Sequence, residues 1–281
     1  MNKIASMSHY HTMNHNSFSV GVPILTYHQI VGNKSLSLKQ SAYLMPVSQF
    51  ERQMRYLHDS RYRCISLKEV LHDQPYRFTP AEKAFVLTFD DGYENFLTNA
   101  YPILHRYGFT ATVFLVAGHI GKTNSWDGQW NTRLLTRKQI AELYNAGISF
   151  GSHTSSHPHL PNLSREQIIE ELAGSKKHLE STLRQKILFL AYPYGESNHL
   201  IRDLAKQAGY MAACGVVTGK SGRYNLWRRP CESQDNHLMF RFKLTPGYYR
   251  LLQLLRWFRE DNIAGLYLRE IKHHRSFHDR N

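Results

Sequence analysis

Two adjacent carboxylates follow the end of an apolar strand pattern. Residues 85–89 read Phe-Val-Leu-Thr-Phe, which is typical of a strand buried on both faces, and Asp90, Asp91 and Gly92 come next. Successive side chains of an extended chain point in opposite directions, so the two carboxylates have different targets. One of them can bind a metal ion while the other accepts a proton from water. The alternative is an ordinary turn, for which Asp-Gly is a common pair.

Two histidines four positions apart follow a second apolar pattern. Residues 151–158 read Gly-Ser-His-Thr-Ser-Ser-His-Pro, and they place His153 and His157 within reach of one ion. Pro158 disfavours helix at His157, so we predict a loop. Two imidazoles and a carboxylate that leave positions open for water suit a catalytic zinc ion or a related divalent cation. In a chain with 17 histidines, the pair can also belong to a polar loop without a metal.

A third polar turn follows the apolar residues 187–190. Residues 191–195 read Ala-Tyr-Pro-Tyr-Gly. A turn of this kind can form the wall of a pocket and direct a backbone N–H at a developing oxyanion. It can equally be a turn that only ends a strand.

The elements that must position these residues alternate between strand and helix patterns. A strand pattern at 23–29 precedes a helix pattern at 47–60, and the alternation continues to give six or seven strands that are apolar on both faces. Such strands form parallel sheets, whose functional residues gather at the carboxyl ends of the strands. We therefore predict an α/β fold, a distorted or incomplete (β/α) barrel of parallel strands, with an open sheet as the alternative.

Helix boundaries support this order of elements. Ser164 and Gln167 form a capping-box pattern at the start of a long helix, and Gly108 and Gly147 stand where two helices should end.

The three motifs together resemble one family. In this order, TFDDGY at 88–93, SHTSSH at 152–157 and AYPYG at 191–195 resemble the polysaccharide deacetylases, the NodB-homology family, over residues 22 to 230. The resemblance implies a distorted barrel and hydrolysis of an N-acetyl group on a sugar, with an N-acetylated glycan as the partner.

The resemblance also assigns roles to residues of the motifs. It makes Asp90 the general base and directs the backbone N–H of Tyr194 at the oxyanion. It implies a divalent metal ion, commonly Zn²⁺, with Co²⁺, Ni²⁺ and Fe²⁺ as alternatives. The ligands of this ion are then Asp91, His153 and His157. We also expect four residues to contact the sugar: Tyr93, Tyr192, Pro193 and Arg229.

The sequence departs from the family pattern at two points. Ala191 stands where many members have an arginine that orients the base, and Arg228 or Arg229 is the candidate to replace it, unless both belong to a solvated basic patch. No Leu-x-His, the usual source of the acid, follows residue 220. Tyr27 and His28 resemble the Tyr-His signature of the poly-N-acetylglucosamine deacetylase branch. His28 is therefore either an active-site residue near the metal or a packed strand histidine.

Composition favours one catalytic domain with a basic end. The 281 residues are 42% hydrophobic and can bury a single large core. We divide the chain into a flexible lead at 1–20, a deacetylase domain at 21–245 and a basic amphipathic helix with a tail at 246–281. The net charge of +13 favours anionic neighbours, such as the inner face of a membrane.

The expected cellular location rests on sequence patterns that are missing. Three cysteines without CxxC spacing argue against a disulfide framework. Neither a signal peptide nor a membrane-spanning run is evident, so we expect a cytoplasmic protein, with peripheral contact to the inner membrane face as an option.

Other functions have less support. A deformylase or deacylase of another lipid-carried sugar amide would share the metal site, and a catalytically weak homologue could bind glycans without turnover. Nucleic-acid binding rests on charge alone, since recognised nucleic-acid motifs are missing, and we expect no nucleic-acid partner.

Overall fold

The computed structural model describes residues 22–32, 42–72, 83–127, 131–216, 221–252 and 254. Eleven strands and eight α-helices lie wholly within these ranges. The strands are β1 (Ile24–Tyr27), β2 (Gln29–Val31), β3 (Leu44–Pro46), β4 (Arg63–Cys64), β5 (Ala84–Phe89), β6 (Thr112–Leu115), β7 (Ser149–Ser152), β8 (Phe189–Ala191), β9 (Ala212–Gly215), β10 (Leu226–Trp227) and β11 (Arg229–Pro230). The helices are α1 (Val47–Asp59), α2 (Leu67–His72), α3 (Tyr101–Arg106), α4 (Arg137–Asn145), α5 (Arg165–Ile169), α6 (Ser175–Leu183), α7 (His199–Gln207) and α8 (His237–Lys243).

The main sheet is parallel, and a single residue links the two strands at its opposite ends. Its order is β10-β9-β8-β7-β6-β5-β1-β11, with β4 paired to β5, while β2 and β3 form a separate parallel pair. Strands β10 and β11 are the two ends of this order, yet only Arg228 separates them along the chain. The segment 226–230 therefore joins the sheet's two edges, and the expected distorted (β/α) barrel is confirmed. We name this segment the seam.

Both faces of the sheet are buried, as the near-continuous apolar patterns predict. Along β5, Phe85, Leu87 and Phe89 pack in the cluster that contains residues of α1, α3 and α4. Val86 points the other way, into a cluster shared with β8 and β9. Thr88 and Asp90 are the next residues on the Val86 face, so the strand's alternation directs Asp90 inward.

The helix boundaries agree with the sequence. Ser164 and Gln167 make a capping box at the start of α5, and Gly108 and Gly147 have positive φ angles of 67° and 89° just after α3 and α4. The long helix predicted after Ser164 is present, but it contains a π-helical turn at Glu170–Gly174 between α5 and α6.

The structure has more strands than the six or seven expected. Among the additional strands, β10 and β11 are two residues each, which is too short to leave a periodic pattern in the sequence.

The predicted C-terminal amphipathic helix is described only in its first part. Residues 247–252 are helical, and there Tyr248 and Tyr249 pack against Trp227 of β10. Residues 255–281, and with them most of the basic tail, lie outside the described residues. Within the described ranges, we find no helix with the length and apolar character that crossing a membrane requires.

Candidate active site

The three motifs meet in one cavity at the carboxyl ends of the barrel strands. Asp90 and Asp91 follow β5, His153 and His157 follow β7, and Tyr194 lies in the turn after β8. All five line a cavity of about 220 Å³. Neighbouring parallel strands place their carboxyl ends at one edge of the sheet, which explains why motifs distant in sequence converge here.

Asp91, His153 and His157 bring together three atoms that could bind one metal ion. Asp91 Oδ1 lies 3.5 Å from His153 Nε2 and 3.3 Å from His157 Nε2. All three side chains are buried, and the three candidate ligand atoms lie within 4.8 Å of one another. Among the described residues Asp91 Oδ1 has no hydrogen-bond partner. A buried carboxylate oxygen without a partner costs free energy that a bound cation would offset, so these residues fit a metal ion.

A hydrogen bond and burial favour the neutral form of His153, which is the form that can bind a metal ion. Its Nδ1 lies 2.7 Å from the carbonyl oxygen of Ala191, and a proton donated there leaves the lone pair of Nε2 facing Asp91. Burial lowers the pKa of His153 to about 4, which keeps the ring neutral near pH 7.

Aromatic rings enclose the second imidazole. The ring of Trp126 stacks on His157 with 4.8 Å between centroids, and the ring of Tyr194 meets it edge-on, also at 4.8 Å. These contacts fix the plane of the His157 ring on two sides.

The backbone at the site adopts conformations that are uncommon for residues with side chains. Asp91, Thr154, His157 and Tyr194 have φ angles of 69°, 67°, 63° and 57°. Left-handed backbone at such residues costs free energy and persists only where surrounding contacts enforce it. Its concentration at the predicted ligands marks this edge of the barrel as a functional site.

The loop that carries His153 and His157 is held by a carboxylate from the π-helical turn. Glu171 accepts hydrogen bonds from the backbone N–H groups of Ser155 and Ser156 at 2.7 and 3.0 Å. It also accepts one from the hydroxyl of Ser156 at 2.6 Å. The side chain of Thr154 accepts from the backbone of His157 at 3.1 Å. The loop is therefore fixed from within and from the adjacent helix.

Arg228 of the seam binds Asp90 with both of its terminal nitrogens. The two N···O distances are 2.6 and 2.7 Å, and both side chains are buried. Burial raises the pKa of Asp90, but the charge and hydrogen bonds of Arg228 outweigh it and hold the pKa well below its usual range. Arg228 thus takes the place of the arginine missing at Ala191. The alternative of a solvated basic patch is wrong for this residue.

His28 lies at the same cavity. Its Nε2 is 3.9 Å from Asp90 Oδ2, and its side chain is 21% exposed. The ring contacts Tyr43 at 4.6 Å between centroids, and both residues line the cavity. His28 is therefore a cavity residue rather than a histidine packed within the strand.

The residues expected to contact sugar divide into two groups. Tyr93 lines the cavity, and its hydroxyl accepts a hydrogen bond from Asn124 Nδ2 at 3.2 Å. Tyr192 is fully buried, with its hydroxyl donating to the carbonyl of Tyr224 at 3.1 Å, and Pro193 is buried beside it. Neither Tyr192 nor Pro193 lines the cavity.

Arg229 was also expected to contact sugar, and this expectation is wrong. Its side chain is fully buried, donates to the backbone carbonyls of Lys243 and Thr245, and lies 4.3 Å from the centroid of the Tyr249 ring. Adjacent residues of an extended segment point in opposite directions, so the orientation that brings Arg228 to the cavity takes Arg229 away from it.

Three cavity residues leave no signal in the sequence. Tyr43 and Glu232 line the cavity from irregular segments and Trp126 from a short 3-10 turn, where no apolar period or motif identifies them. Only the folded chain brings them to the site.

Comparison with known proteins agrees with this geometry. The family model described as polysaccharide deacetylase matches residues 78–213. YxkH of Bacillus subtilis, which is named a polysaccharide deacetylase, is 31% identical over 226 residues, 80% of this chain and 72% of that protein. The poly-beta-1,6-N-acetyl-D-glucosamine N-deacetylase of Staphylococcus aureus is 32% identical over 59% of each chain.

A solved structure supports the same assignment. The deacetylase PplD of Streptococcus pyogenes, in complex with acetate, superposes with a TM-score of 0.69 and 28% identity, covering 80% of this chain and 98% of that one. The motifs, the barrel and the relatives agree, and the chain belongs to the polysaccharide deacetylase family.

Proposed function

We propose that this protein is a metal-dependent hydrolase that removes N-acetyl groups from an N-acetylated sugar of a polysaccharide or of its lipid-linked or oligosaccharide precursor. One observation carries the proposal: the buried Asp90–Arg228 pair lies beside the Asp91, His153 and His157 cluster in a single cavity. The name of the staphylococcal relative supports an N-acetylated sugar as the substrate class.

Zinc is the metal that we propose for the cluster. Two imidazoles and one carboxylate, with further positions open, are a donor set of catalytic zinc sites, although Co²⁺, Ni²⁺ and Fe²⁺ accept similar ligands. A divalent cation bound there supplies Lewis acidity, which polarises a carbonyl oxygen and makes water a stronger acid.

Asp90 is the proposed base. Its low pKa keeps it ionised, and each carboxylate oxygen that accepts from Arg228 retains a second lone pair for the proton of the attacking water. Arg228 is the positioning residue that fixes the plane of the carboxylate. Because a low pKa also makes Asp90 a weak base, its action depends on water whose own acidity has been increased.

The remaining steps fall to Tyr194 and His28. The backbone N–H of Tyr194 donates to the oxygen that becomes negative when water adds to the amide carbon. His28, beside Asp90, donates a proton to the nitrogen as the carbon–nitrogen bond breaks. The products are acetate and a free amine on the sugar.

Substitution of the base and of the ligands tests the proposal. We expect Asp90→Asn to lower acetate release by at least about a hundredfold while the protein retains its metal, because a neutral amide cannot accept the proton. His153→Ala and His157→Ala should lose metal and activity together. The measurements are acetate release from N-acetylglucosamine oligomers and metal content by mass spectrometry.

The same assay separates the alternatives. Formate release from an N-formylated sugar, without acetate release from any N-acetylated one, would favour a deformylase. Glycan binding without hydrolysis in the metal-loaded protein would favour a binding homologue. An active Asp90→Asn variant would show that the base is another residue.

A further inference from the structure

The cations around the mouth of the cavity are already neutralised or point away from it. Arg228 is paired with Asp90. Lys243 Nζ lies 2.6 Å from Asp235 Oδ2 and donates to the carbonyl oxygen of Pro230 at 2.6 Å. Arg229 points away, as described above. Among the described residues that line the cavity, Arg228 is the one arginine or lysine, and its charge is already paired.

Glu232, in contrast, lines the cavity, and its carboxylate has no partner among the described residues. Its side chain is partly exposed. Its carboxylate makes no hydrogen bond or ion pair with any residue in the described part of the chain. A negative charge is thus available to a bound molecule.

The backbone holds Glu232 in place. Its N–H donates to Asp235 Oδ2 at 2.8 Å, and its carbonyl accepts from Gln49 Nε2 of α1 at 3.4 Å. Since Asp235 also binds Lys243 of α8, the position of Glu232 is fixed by two helices. A fixed backbone limits the positions that the Glu232 carboxylate can reach, which reduces the conformational entropy lost when it binds a ligand.

We propose that Glu232 forms a subsite for the protonated amine of a sugar that has already lost its acetyl group. This inference rests on the proposed function, because N-deacetylation converts a neutral amide into an amine that carries positive charge near pH 7. On a partly deacetylated glycan such a cation lies on the sugar next to the one whose N-acetyl group is to be hydrolysed. The Glu232 carboxylate, which has no partner in the described part of the chain, matches it in charge.

The consequence is a preference for acetylated sugars whose neighbour is already deacetylated. Ion pairs at partly exposed sites change affinity by small factors, so we expect the preference to be about two- to fivefold. It should decrease with added salt, since salt screens exposed charges. The protein would then deacetylate glycans in runs rather than at random.

Defined oligomers test the preference. The probes are a β-1,6-linked N-acetylglucosamine tetramer and two versions with a single free amine on one or the other side of an acetylated sugar. We expect at least one amine-bearing tetramer to give a higher kcat/KM than the fully acetylated one. Glu232→Gln should bring this ratio to about one. The control, Glu142→Gln on the exposed face of α4, should leave the ratio unchanged.

Binding gives a readout that does not depend on turnover. In an Asp90→Asn background, calorimetry should show tighter binding of the amine-bearing tetramer, and Glu232→Gln should abolish the difference. Addition of 0.5 M NaCl shortens the screening length to about 4–5 Å. It should reduce the difference in binding in the protein that retains Glu232 and change nothing in the Glu232→Gln variant.

The outcomes distinguish this inference from the proposed function. Equal loss of activity on all tetramers in Glu232→Gln would indicate contact with sugar hydroxyls and overturn the amine subsite. Equal kcat/KM and equal binding of all tetramers with Glu232 present would also overturn it. A wild-type protein that hydrolyses none of them would contradict the proposed function, while the binding comparison would still decide the role of Glu232.

Discussion

Asp90 and Arg228 show what sequence can and cannot reveal about a single residue. The end of a buried strand pattern predicts that Asp90 lies at the edge of the sheet, and the structure places it there. Its partner stands 138 positions later, in a segment of two-residue strands. Which of Arg228 and Arg229 reaches Asp90 depends on the face of the strand from which each side chain projects. A one-residue change of register would exchange the two faces.

The charge of Arg228 makes stability depend on pH. Since the folded pKa of Asp90 is below its unfolded value of about 3.9, the pair stabilises the protein above that pH, and the contribution is lost as pH falls through the folded pKa. In Arg228→Met, burial would act with less opposition and raise the pKa of Asp90. We expect a loss of about 3–5 kcal/mol in the free energy of unfolding at pH 7 and a smaller loss near pH 4.

Denaturant unfolding at the two pH values measures this difference. An Asp90→Asn, Arg228→Met double variant serves as the control, because it removes the isolated buried charge and should recover part of the stability at pH 7. An equal loss at both pH values would show that Arg228 acts through packing rather than through charge.

At the scale of elements, the loop that carries His153 and His157 depends on a helix that the sequence describes only partly. The capping box and the apolar pattern predict a continuous helix after Ser164. They do not predict the π-helical turn at Glu170–Gly174, whose residues are ordinary helix formers apart from Gly174. That turn places Glu171 against the backbone of Ser155 and Ser156. π-helical turns are frequent at functional sites.

Glu171 offers a test at this scale. In Glu171→Ala the loop loses three hydrogen bonds to a carboxylate, and the imidazole of His157 loses its fixed position. We expect metal affinity to decrease by about 10- to 100-fold, as for other residues that support metal ligands. Titration of the metal-free protein with Zn²⁺ measures this change.

The neighbouring residue supplies the control for that experiment. Glu170 is exposed, and Glu170→Ala removes the same charge from the same turn. It should leave metal affinity within about twofold of wild type. If both variants bound Zn²⁺ equally weakly, the net charge of the turn rather than its hydrogen bonds would be responsible.

At the scale of the whole molecule, the barrel was predictable but its closure was not. The alternation of strands and helices predicts parallel strands around a core, which the structure confirms. Closure depends on the seam, whose two strands each contribute two residues, and no periodicity of the sequence reports such short pairing. Tyr249 supports the seam by donating from its hydroxyl to the carbonyl of Trp227 at 2.7 Å.

Hydrogen exchange can measure the strength of the seam. Tyr249→Phe removes the hydrogen bond from the Tyr249 hydroxyl to the carbonyl of Trp227, at a cost of about 0.5–1.5 kcal/mol. We expect amides of residues 226–230 to exchange faster in this variant, by a larger factor than those of β6 at the middle of the sheet. Tyr144→Phe, at an exposed ring, should change neither region. Equal acceleration in both regions would show that the seam opens only with the whole barrel.

The position of the seam also determines when a newly made chain can assemble the complete site. A ribosome releases Asp90 and both histidines well before Arg228, which is 138 residues behind Asp90. Until residue 230 has emerged, β1 lacks the pairing with β11, and Asp90 lacks the guanidinium that fixes its plane. A partly synthesised chain can thus present the proposed metal ligands, but it cannot present the oriented carboxylate of Asp90. We therefore expect hydrolysis only after translation has delivered β11, the last strand in the described part of the chain.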